Sequence, residues 1–320
     1  MRFLLLSAGR RVSLLQQLRR AAQELKIDLF IVGTEIYEFT SSLYFCDEFQ
    51  MVSRTFTREH HEEILNLIQI FKIDVVLPGN DFDLRYLHEH RSHLESLGVS
   101  VADAGEQGLL FLSKRDSAVF FEEIGLEVPE ILGAPEEMRS RCILKEEEGY
   151  GSVNQFIVEN EEQAKQYWAR LKKPFLQEFV QGPETTVDVF SDSNGKVLSY
   201  CCRRRERVRS GVSDVGVVDM NPRLCKLLES KFEHFQLQGP WNIQCIEFQD
   251  QFYFLEVNPR FAGGVVLSIA AGCDIARYFL EWQANLDFHS SGSIKNGLVM
   301  MKYEQEVYVQ PDSKENRKLC

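Results

Sequence analysis

Residues Gln251–Gly264 read QFYFLEVNPRFAGG. The aromatic and apolar run suits a β-strand, and Pro259 stops it because proline cannot donate to a ladder. Side chains alternate along a strand, so Glu256 and Asn258 share one face. A carboxylate and an amide oxygen aimed together at a strand end suit a hard, oxygen-seeking cation such as Mg²⁺ or Mn²⁺. Arg260, just beyond the proline, is placed to meet a phosphate that the same cation touches. The partner strand is Asn242–Glu247, NIQCIE, joined through a turn at Gln249-Asp250-Gln251. Gln244 and Glu247 lie on its opposite faces, so at most one of them points at the same place. By itself the motif also fits a hairpin with an exposed glutamate and a turn asparagine, and its surroundings have to decide.

Those surroundings supply phosphate chemistry. Ile143–Ser152, ILKEEEGYGS, is a strand ending in Lys145 and running into a loop with Gly149, Gly151 and Ser152. Glycines let backbone N–H groups close over phosphates, and a lysine adds a compact positive charge. A second lysine, Lys114, opens the helical stretch SKRDSAVFFEEIG. In LQEFVQGPETTVDVF an apolar strand breaks at Gln181-Gly182-Pro183 and resumes after Glu184. An edge of this kind can offer backbone groups to an adenine, with Glu184 accepting from ribose hydroxyls. Further on, Arg203, Arg205, Arg207 and Arg209 alternate along one strand face, with Arg204 and Glu206 on the other. So many guanidiniums need anions. Arg205 and Arg209 are candidates for a substrate carboxylate or its acyl phosphate, and pairing with surface acids is the plainer alternative.

Working back to the N-terminus, short apolar strands at 3–6, 28–34, 49–53, 74–77 and 99–102 alternate with helical periodicity at 12–25, 58–72 and 82–97. That alternation predicts a parallel α/β sheet. After about residue 125 the texture becomes α+β with an antiparallel sheet. SAGRR after the first strand and Glu35 after the second suggest a dinucleotide loop, but G-x-G-x-x-G is missing, which argues against a nicotinamide oxidoreductase. SAGRR and Pro78-Gly79-Asn80-Asp81 are expected to line a substrate side instead. His88, His90 and His93 crowd one helix, but only the last two share a face, and a solvated helix is the simpler reading.

Composition narrows the classes further. The 320 residues carry 36 Lys+Arg against 48 Asp+Glu, a net charge of −12, which disfavours nucleic acid as the main partner. No apolar run approaches the roughly 20 residues of a membrane-spanning helix. MRFLLLSAGRR puts its arginines after a short apolar stretch, so no signal peptide is expected. Eight cysteines without CxxC spacing read as reduced thiols of a cytoplasmic protein.

Taken in order, the two lysines, LQEFVQGPETTVD, GPWNIQ and LEVNPRFAGG resemble the ATP-grasp superfamily, in its carbamoyl-phosphate-synthase-like branch of stand-alone ligases. The resemblance implies an N-terminal parallel-sheet, Rossmann-like pre-ATP-grasp domain over residues 1–112. An ATP-grasp fold of two α+β subdomains follows, a lid with the glycine loop over 113–180 and a metal-bearing C-terminal part over 181–320. It further implies Lys114 and Lys145 on nucleotide phosphates, Glu178, Phe179 and Val180 at the adenine hinge, and Glu184 at the ribose. Gln244, Glu256 and Asn258 match metal positions, with Gln244 preferred to Glu247 through GPWNIQ, and Arg260 matches a phosphate contact.

The implied activity is ATP-dependent joining of a small-molecule carboxylate to an amine or ammonia, with Mg²⁺, no nucleic acid and no membrane, and a homodimer is the assembly common among similar proteins. Two departures stand out. Glu146-Glu147-Glu148 would repel a triphosphate unless turned outward or paired, and Gly211 is followed by Val212 where the family carries glutamate. They leave a nucleotide-binding protein of the same fold with little or no ligase activity as the alternative.

Overall fold

A computed structural model describes residues 1–147, 154–209, 211–289 and 292–309. The N-terminal part alternates β1 (Arg2–Leu5), α1 (Val12–Leu25), β2 (Phe30–Glu35), β3 (Glu48–Met51), α2 (Arg58–Phe71), β4 (Val75–Leu77), α3 (Asp81–Ser96) and β5 (Ser100–Val101). Its five strands are all parallel in the order β3-β2-β1-β4-β5. The inner strands β1, β2 and β4 are mainly apolar and buried because helices cover both faces, whereas the edge strand β3 (EFQM) alternates between exposed and half-buried residues. Leu4, Leu6 and Val76 face α2 and α3, while Phe3, Leu5 and Leu77 belong to a core shared with α1 and the C-terminal helices.

Helix α4 (Lys114–Glu123) follows. A small antiparallel sheet is then built from β6 (Ile131–Leu132), β7 (Cys142–Glu146), β8 (Phe156–Val158) and β9 (Pro174–Glu178), ordered β6-β9-β7-β8, with α5 (Glu161–Trp168) against it. The second antiparallel sheet uses β10 (Glu184–Ser191), β11 (Val197–Arg209) and β12 (Val212–Val218), then, after α6 (Pro222–Glu229), β13 (Gly239–Phe248) and β14 (Gln251–Asn258). Helices α7 (Val265–Ala271) and α8 (Ile275–Gln283) precede the short edge strand β15 (Val299–Met301). The order is β14-β13-β10-β11-β12-β15. A parallel α/β part followed by two α+β sheets is the fold class the sequence pattern predicts.

Two packing relationships fix where a site can lie. Phe120 and Phe121 of α4 pack with Trp241, Ile243 and Phe254, so this helix is anchored on the large sheet although it stands just ahead of the small one. Helix α1 packs on α8, and Arg20 pairs with both oxygens of Asp274 at 2.8 Å, tying the N-terminal part to the C-terminal helices. The strand ends of the parallel sheet therefore face the open face of the large sheet.

Candidate active site

The hairpin that opened the sequence reading forms as expected, with Gln249 and Asp250 both in the left-handed region (φ 48° and 64°), as a two-residue type I′ turn requires. Its register places Gln244 opposite Glu256 and Asn242 opposite Asn258. Strict alternation along β14 would put Glu256 on the same face as Phe252 and Phe254, which are buried in the core. A bulge resolves the conflict: Cys245 pairs with Phe254 and Gln244 with Glu256, leaving Leu255 as the extra residue. The bulge re-aims Glu256 and Asn258 out of the core.

Their polar atoms converge. Asn258 Nδ2 donates to Glu256 Oε1 at 3.2 Å, and in the orientation that satisfies its amide, Gln244 donates to Glu256 Oε1 at 3.1 Å and Glu184 Oε1 at 3.2 Å. Two carboxylates thus meet one amide, with a second amide beside them. All these donors are oxygen-bearing, and Gln244 can turn its oxygen to the same space, so the set fits a hard divalent cation. Glu247 lies on the other face, paired with Arg223.

Lys145, at the end of β7, is buried and donates to Gln177 Oε1 at 2.7 Å. Burial lowers its amine to about 8, with nearby Lys114 acting in the same sense and Glu256 and Glu184 opposing it. Lys114 is buried too, and its backbone N–H bonds to Glu147 O at 3.2 Å. Two of the three acids that follow Lys145 are occupied elsewhere. Glu146 accepts from Lys172 N–H at 2.7 Å and Asn154 at 3.0 Å, and Glu147 from Ser113 Oγ at 3.2 Å. Glu148 and the loop positions Gly149, Gly151 and Ser152 lie outside the described residues.

At the hinge, Glu178 N–H bonds to Glu130 O and Phe179 N–H to Arg141 O, at 2.8 and 3.1 Å, while the Val180 side chain is buried. Glu184, one strand on, is paired with Arg205.

Arg203, Arg205, Arg207 and Arg209 line one cavity, in keeping with their shared face. Each has a carboxylate partner: Asp188 for Arg203 (2.6 Å), Glu184 for Arg205, Asp214 for Arg207 (2.8 Å) and Glu304 for Arg209 (2.7 Å). Arg203 is buried so tightly that a Cβ on Gly264 would fall 2.5 Å from its guanidinium. The cavity measures about 1490 Å³ and is also lined by Gln244, Glu256, Asn258 and Arg260 from one side and Ser7, Gly9 and Asn80 from the other. Lys114, Lys145, Glu178, Phe179, Val180 and Glu184 do not line it.

The N-terminal contribution was legible as SAGRR and PGND, but its contacts were not. Arg260 Nε donates to Asp81 Oδ1 at 2.7 Å and its Nη2 to Asn258 Oδ1 at 3.2 Å. Arg11 donates to Phe261 O at 3.1 Å and to Gly79 O. Burial, then the charge of Arg260, bring the Arg11 guanidinium down to about 10. A Cβ on Gly79 would meet Leu6 O and Ser7 O at 2.3 Å, so only glycine lets the two loops approach. The helix of histidines is less solvated than expected, since His90 stacks on His61 at 4.0 Å beside Tyr86.

Residues 170–306 match the family described as ATP-grasp in the biosynthetic pathway with Ter operon, and residues 3–102 match PylC-like, N-terminal domain. Among curated proteins, the chain is 22% identical to pyruvate carboxylase of Staphylococcus aureus over 298 residues, covering 81% of this chain and 25% of that protein. It is 29% identical to the carbamoyl phosphate synthase large chain of Clostridium botulinum over 162 residues, 46% of this chain and 14% of the relative. The chain therefore spans a quarter or less of these relatives.

Among solved structures it is similar to the biotin carboxylase domain of Hydrogenobacter thermophilus 2-oxoglutarate carboxylase in complex with MgADP, ADP and bicarbonate. The TM-score is 0.75 at 17% identity, covering 93% of this chain and 73% of that one. The ATP-grasp resemblance read from the motifs is borne out in sequence and in fold.

Proposed function

We propose that the protein is an ATP-dependent ligase that joins a small-molecule carboxylate to an amine. The observation that carries this reading is the convergence of Glu184, Gln244, Glu256 and Asn258 at the open face of the large sheet. The buried ammonium of Lys145 is favoured by the charges of Glu256 and Glu184, and Arg260 bonds to Asn258 from the cavity side. Gln244, Glu256 and Asn258 would hold Mg²⁺ or Mn²⁺, which when bound neutralises phosphate charge.

The chain's own residues do the positioning. Lys114 and Lys145 hold the nucleotide phosphates, the Val180 N–H at the Glu178–Val180 hinge meets the adenine, and Glu184 reaches the ribose. Gly149, Gly151 and Ser152 cover the phosphates. Arg260 meets the transferred phosphate, and Arg205 and Arg209 orient the substrate carboxylate. One carboxylate oxygen attacks the γ-phosphorus and the bond to the β,γ-bridging oxygen breaks, giving an acyl phosphate and ADP. The amine nitrogen then attacks the acyl carbon, the carbon–oxygen bond to phosphate breaks, and the amine loses a proton to solvent or phosphate. No protein nucleophile is needed.

ADP release from MgATP with pooled amino acids and small carboxylic acids tests the reading. Release from at least one pool, lost in Glu256→Ala, is expected. ATP binding without release from any pool would instead leave a nucleotide-binding protein of this fold.

A further inference from the structure

The cavity has a second chemistry besides its cationic floor. Its N-terminal wall carries Ile36, Tyr37, Phe56 and Phe82, each between 41 and 64% exposed. Single exposed apolar residues are ordinary, but four on one cavity wall mark a surface meant to be covered. Phe56 adds an independent sign. Its φ is 68°, a left-handed conformation uncommon for a bulky residue, and such strain gathers at ligand clamps. Its ring meets Phe82 edge to face at 6.3 Å. Across the cavity stand Met301 and Tyr303, 72 and 82% exposed.

Charges border this wall. Arg10 and Arg54 line the cavity and are exposed, and among the described residues neither has an ion-pair partner, unlike Arg203, Arg205, Arg207, Arg209 and Arg260. Glu35 ends β2 beside Ile36 and Tyr37. Its carboxylate accepts Gly9 N–H at 2.7 Å and Ile36 N–H at 3.1 Å and lines the same cavity. An apolar wall, free cations and one carboxylate together complement a zwitterion with a large apolar side chain. The volume permits it: about 1490 Å³ exceeds the roughly 300–1,000 Å³ of ordinary ligand pockets and leaves room for an amino acid beside the polar cluster and the arginine floor.

We propose that the amine partner of the reaction is an amino acid with an aromatic or large apolar side chain. The side chain lies on Tyr37, Phe56 and Phe82, the free carboxylate between Arg10 and Arg54, and the ammonium toward Glu35. This rests on the ligase reading of the same cavity.

Calorimetric titration of the full chain saturated with MgADP tests it, using L-phenylalanine, phenethylamine (no carboxylate) and glycine (no ring). Phenylalanine is expected to bind at least about tenfold tighter than either. Tyr37→Ala and Phe56→Gly should each weaken phenylalanine about tenfold and leave glycine unchanged; glycine suits the left-handed backbone, so Phe56→Gly removes the ring without new strain. Arg54→Gln should weaken phenylalanine and not phenethylamine. Unchanged MgADP affinity certifies that each variant is folded.

Equal binding of the three probes, or phenylalanine binding indifferent to Phe56→Gly, overturns the proposal. ADP release from MgATP separates it from the ligase reading. Release supported only by glycine-sized amines keeps the ligase and removes the wall. Wall-dependent phenylalanine binding with no release from any carboxylate keeps the wall and removes the ligase.

Discussion

Arg260 and Asp81, 179 residues apart in sequence, are joined by a 2.7 Å hydrogen bond between Nε and Oδ1 that closes the C-terminal sheet onto the first turn of α3. Both side chains are largely buried, at 14 and 22% exposure, so the pair is screened less than a surface bridge. Asp81→Ala leaves the buried guanidinium hydrogen-bonded, among the described residues, to Asn258 alone, with the more distant charges of Glu256 and Asp83 still acting on it. The expected cost is about 1–3 kcal/mol of stability and a roughly tenfold or larger loss of ADP release. A double-mutant cycle with Arg260→Met, read by denaturant unfolding, should give a coupling energy of about 1 kcal/mol or more. Additive effects would show that the contact does not couple the two halves.

Glu256→Gln keeps the size of the side chain and its hydrogen bonding while removing one of the two carboxylates that face Gln244. Stabilisation by Mg²⁺ with ADP, measured as a shift in Tm, should largely disappear. ADP release should fall about 100-fold or more, because this carboxylate would hold the cation that neutralises charge in phosphoryl transfer. Stability without metal should stay within about 1 kcal/mol of wild type, because separating like charges offsets the lost bonds. A normal Mg²⁺ response in this variant would place the cation elsewhere.

How much of this was readable from residues alone depends on range. The parallel sheet was, because short apolar runs alternating with 3.6-residue periodicity are local signals. The face shared by Glu256 and Asn258 was read correctly, but a period of two would have carried Phe252 and Phe254 with them. Only the bulge at Leu255 puts the aromatics in the core and the polar pair in the cleft, and a bulge leaves no mark in a period-two count. The Arg203–Arg209 face was legible, whereas the partners of those arginines come from β10, β12 and the segment after β15, and neither the pairing register nor the bulges in β11 can be read from spacing along one strand. Nor could the sequence show that Asp81 of PGND bonds to Arg260. Glu146 and Glu147 looked hostile to phosphate until the structure turned them to Lys172 and Ser113.

Lys145 predicts two opposite pH trends. Its amine is lowered to about 8 by burial, against about 10.5 when unfolded. Between these values the unfolded chain holds the extra proton, so this lysine makes the ligand-free protein more stable as pH rises and loses that contribution as pH falls through about 8. Nucleotide binding should run the other way. Phosphate favours the ammonium, so affinity for ADP should weaken above pH 8, by at most about tenfold per pH unit. Lys145→Met should flatten both slopes. Identical pH profiles for wild type and variant would remove Lys145 from the phosphates.

Asp83 supplies a stability test that involves no ligand. It is fully buried at the start of α3, where it accepts Ser7 Oγ at 2.9 Å, Gly79 N–H at 3.0 Å and Asn80 N–H at 3.1 Å. Burial outweighs these bonds and raises its carboxyl from 3.8 to about 6. Between those values the folded chain binds the proton and the unfolded chain does not, so stability from this group falls as pH rises from about 4 to 6. The full effect at neutral pH is about 3 kcal/mol. Asp83→Asn is neutral at every pH. Its oxygen can take the two backbone donors while Ser7 turns to accept from its amide, so the loop-to-loop contact survives. Urea unfolding should show wild type losing ground to Asp83→Asn across pH 4–6 and the difference levelling off above about 7. Parallel pH curves for the two proteins would mean that Asp83 is ionised when folded, and that Arg11, whose charge also acts on it, compensates its burial in full.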